Sequence, residues 1–309
     1  MATVLKRVKN YVIKCKNNDF YISRILLYFF LISVSFVFIY PFLRMIVTSV
    51  MSYSDLNDPA VTWLPHGIYI KNYGVALSYL DVQIHGVNSL IITVLATVGH
   101  ILSCSFVAYG FSRFKFRLKN LFFAIVVFSI IIPPQVLILP QYIYYLKLNF
   151  LNTYLPIILP CFLGYGLRGG LYIYIFRQNF LGLPLEIEDA AAVDGYGPIR
   201  TYAFIVMPNA RNTVLVAFLV SFVWHWNDYY EPSYYLTFQN KLPLPAMLNN
   251  VLNAKSDYYS AMLNGTLDRL VTDGVVMAAI FICTVPLLLL YFVLQNGFMQ
   301  GLERSGLVE

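Results

Sequence analysis

Charge is scarce in this sequence. Asp, Glu, Lys and Arg make up 12% of the 309 residues, about half the share of a typical soluble domain. So little charge cannot cover a water-exposed surface, which excludes a cytosolic enzyme, a nucleic-acid-binding domain and a disordered scaffold. Cysteine is also scarce: Cys15, Cys104, Cys161 and Cys283. No two have metal-ligand or redox spacing, so neither a disulfide framework nor a zinc site is expected. The four histidines (His66, His85, His100 and His225) are scattered and form no metal motif. The chain has no G-x-x-x-x-G-K-[ST] phosphate loop, so no ATP site of its own is expected. Acidic residues are missing from the interiors of the apolar runs, with Asp228 and Asp273 only at their ends. That argues against a proton- or sodium-driven secondary transporter, which needs buried acids. An intramembrane enzyme would need a His/Asp/Glu/Ser cluster within the spans, and only isolated histidines are visible.

What is present in abundance is apolar surface. The chain is 59% hydrophobic, with mean hydropathy +0.66. A helix needs ~20 mostly apolar residues to cross the hydrocarbon core. Charge-free runs predict six spans, at about 25–48, 85–112, 120–146, 154–177, 211–230 and 273–297. Backbone groups in lipid must bond within their own segment, so the spans are helices. The short alternation of an outer-membrane barrel is absent. Residues 1–24 form a basic leading segment and 303–309 a tail. No small-x-small cleavage site follows the first run, so it reads as an anchor rather than a signal peptide.

Lys and Arg set the orientation. With the N-terminus inside, fourteen fall on inside segments and five (Lys71, Lys147, Lys241, Lys255 and Arg269) on outside loops. That bias places both termini in the cytoplasm. It leaves a long inside loop at 180–210 and a long outside loop at 231–272.

The inside loop is structured. Residues 183–193 read as a short helix, with Pro184 suited to its first turn. Glu186, Glu188 and Asp189 lie at the positive end of its dipole. Asp194-Gly195 ends it, Gly195 being free to turn left-handed. A second short helical segment, 199–206, follows. The pair reads either as a docking knob for a partner or as an ordinary amphipathic surface helix.

The stretch Leu183-Pro-Leu-Glu-Ile-Glu-Asp-Ala-Ala-Ala-Val-Asp-Gly195, followed by Ile205-Val-Met-Pro208, resembles the Glu-Ala-Ala loop of ABC importer permeases. More narrowly, the chain resembles the carbohydrate importer permeases, on the MalG side of the maltose-type, binding-protein-dependent family. The likeness includes Asn88-Ser89, Leu151-Asn152-Thr153-Tyr154, Phe176-Arg177-Gln178-Asn179-Phe180 and Trp224-His225-Trp226-Asn227-Asp228, and spans roughly 40–302. Amino-acid and peptide permeases share the loop but generally lack the Asn152-Thr153 and Trp226-Asn227-Asp228 patterns. Two positions depart from the pattern: Asp189 opens the Ala-Ala run, and Asn212 stands where proline is frequent.

The resemblance implies an all-α, polytopic type I ABC importer permease with a cytoplasmic coupling helix, in a bacterial cell membrane. It implies a non-enzymatic, pore-forming subunit of a sugar importer, with an oligosaccharide as the expected substrate. The implied partners are a second permease subunit (a heterodimer), two ATPase subunits that hold ATP and Mg, and an extracellular solute-binding protein. ATPase coupling falls to Glu188, Asp189, Ala190, Ala191, Asp194 and Gly195. The candidate substrate path holds Arg168, Tyr165, Trp226 and Asn227. By position, Asn253, Tyr258, Asn264 and Gly265 are candidate contacts for the binding protein.

Two features stay open at this level. Arg168 lies nine residues before Arg177, about 13.5 Å along a helix, so it sits deep in the bilayer. It either lines the pore or pairs with a carboxylate or backbone carbonyls on a neighbouring helix. Gly164, Gly166, Gly169 and Gly170 around it predict close packing or unwound backbone. Pro133-Pro134 either borders a wet cavity or merely kinks its span.

Overall fold

The computed structural model describes residues 2–166, 168–256 and 271–306, with side chains for 24–166, 168–255 and 271–295. Among the described residues every regular element is a helix. In chain order these are α1 (Ala2–Ser49), α2 (Tyr53–Asn57), α3 (Lys71–Leu80), α4 (Val82–Arg113) and α5 (Lys119–Ile131). Then come α6 (Pro134–Lys147), α7 (Leu155–Phe162), α8 (Gly169–Gly182) and α9 (Glu186–Val193). The chain continues as α10 (Pro198–Asn209), whose middle winds as a π-helix over Tyr202–Val206, and α11 (Arg211–Asn227). It ends with α12 (Tyr230–Tyr235), α13 (Leu244–Ser256) and α14 (Asp273–Gly306).

Six unbroken rods are not what forms. Three stretches are long and apolar enough to cross a bilayer: Arg24–Ser49, Val82–Arg113 and Asp273–Gln295. Two further candidates are bent pairs, α5 with α6 at 102° and α10 with α11 at 80°. The break in the expected third span sits at Pro133-Pro134, where two backbone donors are missing. The expected fourth span, 154–177, is two pieces. α7 has 8 residues and α8 has 14, about 12 and 21 Å long, each short of the ~30 Å core. Between them the chain turns through left-handed residues: Gly164 (φ 72°), Gly166 (φ 95°) and Arg168 (φ 62°). The expected fifth span ends at Asn227, three residues early.

α4 is the central post, packed on α7, α8 and α11. Its buried positions recur at helical spacing and most are small or polar (Asn88, Ser89, Thr93, Ala96, Thr97, His100, Cys104, Ser105 and Ala108), with Ile92 and Tyr109 the large exceptions. Its large apolar residues, such as Ile84, Leu90, Ile91, Leu95, Leu102 and Phe106, are exposed. That is the inside-out pattern of a helix in lipid, where small residues let backbones approach and the tails solvate the bulky ones.

The family motifs have local work. Asn88 Nδ2 donates to the carbonyls of Asn240 and Leu242, and Tyr154 Oη donates to Asn88 Oδ1 at 2.8 Å. Ser89 Oγ accepts from the Leu244 amide. Asn152 Oδ1 accepts from the Thr237 and Phe238 amides. Together they pin 237–244 across one end of the bundle.

α5 packs on α8 through Gly170. A Cβ there would stand 2.6 Å from Ser129 Oγ and 2.8 Å from the Val126 carbonyl. Gly170→Ala is therefore expected to cost about 1–3 kcal/mol through overpacking. Gly182→Ala, with nothing within 4 Å of the new Cβ, serves as the control. Thermal unfolding of the two purified variants checks this; equal midpoints would contradict it.

Candidate functional site

Three interruptions of helix meet around one cavity. They are the α5–α6 bend, the α7–α8 break and the α11–α12 turn. The cavity measures about 540 Å³. Non-helical backbone at membrane depth is tolerated where it lines such a space.

Arg168 reaches into this cavity from the N-cap of α8. Its guanidinium carbon lies 3.7 Å from the Trp224 ring centroid. Its Nε is buried with no hydrogen-bond partner. Among the described residues Arg168 forms no ion pair with a carboxylate. The pairing alternative for this charge therefore finds no carboxylate among the described residues.

Tyr165 and Asn227 also line the cavity. Gln141 Nε2 donates to Tyr165 Oη at 3.0 Å, and Tyr235 Oη donates to Gln141 Oε1 at 2.9 Å. These three form a polar row along one wall. Opposite in chemistry are Asp228 and Glu231. Asp228 Oδ1 accepts from the Tyr230 and Glu231 amides, while its Oδ2 is buried without a partner. Burial, then the neighbouring Asp228 charge, pushes the Glu231 carboxyl well above the usual carboxylate range.

Trp226 is not in the cavity. It is 3% exposed, stacks on Phe222 and donates Nε1–H to the Cys283 carbonyl at 3.0 Å. The cavity indole is Trp224. Residues two apart on a helix point about 200° apart, so only one of the two can face inward. Helical phase could have chosen between them: Trp224 shares its face with Asn227 and Asp228 at i+3 and i+4. Trp224, Asp228, Glu231 and Gln141 are the cavity residues that sequence reasoning missed.

The second site is α9, at the far end of α4. Glu186, Glu188 and Asp189 occupy its first turn, as expected. Gly195 turns left-handed at φ 83° and has open space around it. The six coupling candidates divide by helical phase. Asp189, Ala190, Asp194 and Gly195 are exposed. Ala191 is buried, and Glu188, three residues earlier on the same face, turns inward. Arg113 Nε meets Glu188 Oε1 at 2.5 Å, Tyr109 Oη donates to Glu188 Oε2 at 3.1 Å, and Arg113 Nη2 donates to the Leu183 carbonyl. Glu188 thus ties α9 to the end of α4. The outward face is completed by exposed Ile187, Val193 and Ile199.

Asn253 lies on the exposed side of α13, whose Leu244, Met247 and Val251 pack into the core. Tyr258, Asn264 and Gly265 lie outside the described residues. The histidines that look scattered in sequence are not all apart. His100 and His225 stack, with centroids 5.2 Å apart.

A cavity walled by broken helices, with a short surface helix at the far end of α4, fits a membrane permease. Residues 98–304 match the family described as "Binding-protein-dependent transport system inner membrane component", and the chain belongs to it. It is the pore-forming permease component of an ABC importer, a multi-pass protein of the cell membrane. It is 26% identical over 271 residues to the lactose transport system permease protein LacG of Rhizobium radiobacter, covering 88% of this chain and 92% of that one. It is 26% identical over 282 residues to the arabinooligosaccharides transport system permease protein AraQ of Halalkalibacterium halodurans, with the same coverages. The sn-glycerol-3-phosphate permease protein UgpE of Salmonella typhi is 26% identical over 275 residues, covering 87% and 92%. In fold, the chain is similar to a chain in the crystal structure of a bacterial ABC transporter involved in the import of the acidic polysaccharide alginate. The TM-score is 0.73 at 22% identity, covering 89% of this chain and 96% of that one.

Proposed function

We propose that this chain forms half of the translocation pore of an ATP-driven carbohydrate importer, with an oligosaccharide as the substrate. The observation that carries this reading is the cavity built at three helix breaks, lined by Trp224, several tyrosines and amide side chains. Sugars are held by hydrogen bonds to their hydroxyls and by aromatic faces against their ring carbons, and this wall offers both. The relatives named for lactose, arabinooligosaccharides and sn-glycerol-3-phosphate support the same class. They weigh against a peptide or amino-acid importer.

A second permease subunit closes the other half of the pore. Two ATPase subunits bind ATP and Mg on the α9 side, which the Lys and Arg bias makes cytoplasmic. An extracellular binding protein delivers the sugar to the opposite end. The exposed face of α9, with Asp189, Ala190 and Asp194 beside Ile187 and Val193, is the surface offered to one ATPase. Closing the ATPase dimer moves α9, and through it the helices around the cavity, between two packed positions.

The test is ATP hydrolysis by the reconstituted complex with its binding protein and a panel of neutral and acidic oligosaccharides, amino acids and peptides. Stimulation by one or more sugars alone is expected. Stimulation only by peptides or amino acids would overturn the carbohydrate reading.

A further inference from the structure

Behind the cavity wall, three helices bring two imidazoles and a thiol together. His100 comes from α4, Cys161 from α7 and His225 from α11, and all three are buried. His225 Nε2 lies 3.3 Å from His100 Nδ1 and 3.9 Å from Cys161 Sγ. One ligand atom from each falls within 4.8 Å of the others. Ser221 Oγ is 3.3 Å from His100 Nδ1.

These contacts are long for hydrogen bonds, whose N–H···O distances centre on about 2.9–3.0 Å. They suit ligands that share an ion. Around a tetrahedral metal bound at about 2.0–2.1 Å to nitrogen and 2.3 Å to sulfur, neighbouring ligand atoms stand roughly 3.3–3.6 Å apart. One outer contact agrees, that of His100, while His225 Nδ1 is buried without a partner. His100 Nε2 lies 3.0 Å from the Tyr165 carbonyl. That carbonyl accepts the Nε2–H, which fixes the ring's tautomer and leaves the Nδ1 lone pair directed toward His225 Nε2 and the Ser221 hydroxyl. Gly166 lets the unwound segment close over the site, since a Cβ there would stand 2.8 Å from Cys161 Sγ and 3.2 Å from His100 Nε2.

We infer that His100, Cys161 and His225 form a buried binding site for one soft metal ion of the copper(I) or zinc class. Thiolate and imidazole together select these ions. Charge favours copper(I). Two neutral imidazoles and one thiolate leave a monovalent ion neutral, whereas zinc leaves a net positive charge in a dry interior, which is costly. Binding forms two metal–nitrogen bonds and one metal–sulfur bond. The Cys161 S–H bond breaks, and its proton goes to the solvent. Pro160, Tyr165 and Gly166 line the cavity itself, so the ion enters from the cavity through the α7–α8 break. Once bound, it holds that break against α4 and α11.

The experiment uses the purified complex with its partner subunits. Separate samples are loaded with copper(I) under anaerobic conditions or with zinc, desalted, and assayed for metal per complex. One copper(I) bound by wild type and lost in Cys161→Ser and His225→Gln is expected, with Cys283→Ser still binding it. Zinc held and lost in the same pattern also supports the site. Metal retained equally by wild type and Cys161→Ser overturns the proposal, and so does an assembled wild-type complex that retains neither ion. X-ray absorption on the loaded wild type keeps the test independent of how the variants fold. A spectrum that shows no metal–sulfur bond overturns the assignment.

Discussion

Arg113→Ala is expected to abolish sugar uptake while leaving ATP hydrolysis running without sugar dependence. Arg113 and Glu188 are 9% and 14% exposed at their side chains. Removing one partner of such a pair strands the other charge in a place poor in water, at a cost of about 3–5 kcal/mol. α9 cannot absorb that cost. It has 8 residues, too few to be stable alone, so its position depends on its packing on α10 and on the side-chain bonds that tie it to α4. The tie consists of the Arg113–Glu188 pair, the Tyr109 hydroxyl and the Arg113 bond to the Leu183 carbonyl. Without it, the exposed face proposed to meet the ATPase keeps only its packing on α10 as a link to the cavity helices. Tyr109→Phe removes one hydrogen bond, worth about 0.5–1.5 kcal/mol, and should slow transport rather than stop it. Glu188→Gln should fall between the two. Uptake into proteoliposomes, measured beside ATP hydrolysis, separates coupling from assembly. Wild-type uptake in Arg113→Ala would sink the idea that this pair carries the coupling.

That tie was not legible in the sequence, although both of its ends were. Arg113 reads as the basic end of a span, and Glu188 as an acid in the first turn of a loop helix. They are 75 residues apart, and no local pattern joins them. What was legible is local. Pro184, the acids at 186–189 and Gly195 place α9 to within a few residues. The absence of charge over 82–112 gives α4. The breaks were half legible. Pro133-Pro134 and the glycines at 164–170 mark where helix fails, but not that the failures converge on one cavity. The Trp224 and Trp226 pair shows the same limit. The motif points to the end of α11, and only helical phase decides which indole faces the cavity. His100, Cys161 and His225 each look isolated, because their meeting depends on how three helices cross.

Arg168→Gly is expected to divide substrates by charge. Glycine is the informative replacement because Arg168 sits at φ 62°, where glycine is unstrained and alanine is not. The variant removes the side chain and leaves the break between α7 and α8 in place. It also orphans no carboxylate, since Arg168 has no ion-pair partner among the described residues. The complex should therefore assemble and hydrolyse ATP normally at rest. If the sugar carries an anionic group, the variant loses a charge-assisted hydrogen bond worth about 1.5–3 kcal/mol, a rise in the concentration for half-maximal stimulation of roughly 10- to 100-fold. A neutral sugar should shift by no more than a few-fold, because the Trp224 face and the Tyr165 and Gln141 polar groups remain in the cavity wall. Arg168→Lys should recover only part of an anionic sugar's affinity, since a point charge cannot offer the planar fork or stack on Trp224 as guanidinium does. Collapse of the complex in Arg168→Gly would mean instead that the charge holds the fold together. Glu231 sets the contrast. Its carboxyl is held above the usual carboxylate range, so near neutral pH it is protonated and does not cancel the guanidinium. Raising the pH through its titration adds a second negative charge beside that of Asp228 on the same wall. Affinity for an anionic sugar should then fall in wild type, and less so in Glu231→Gln.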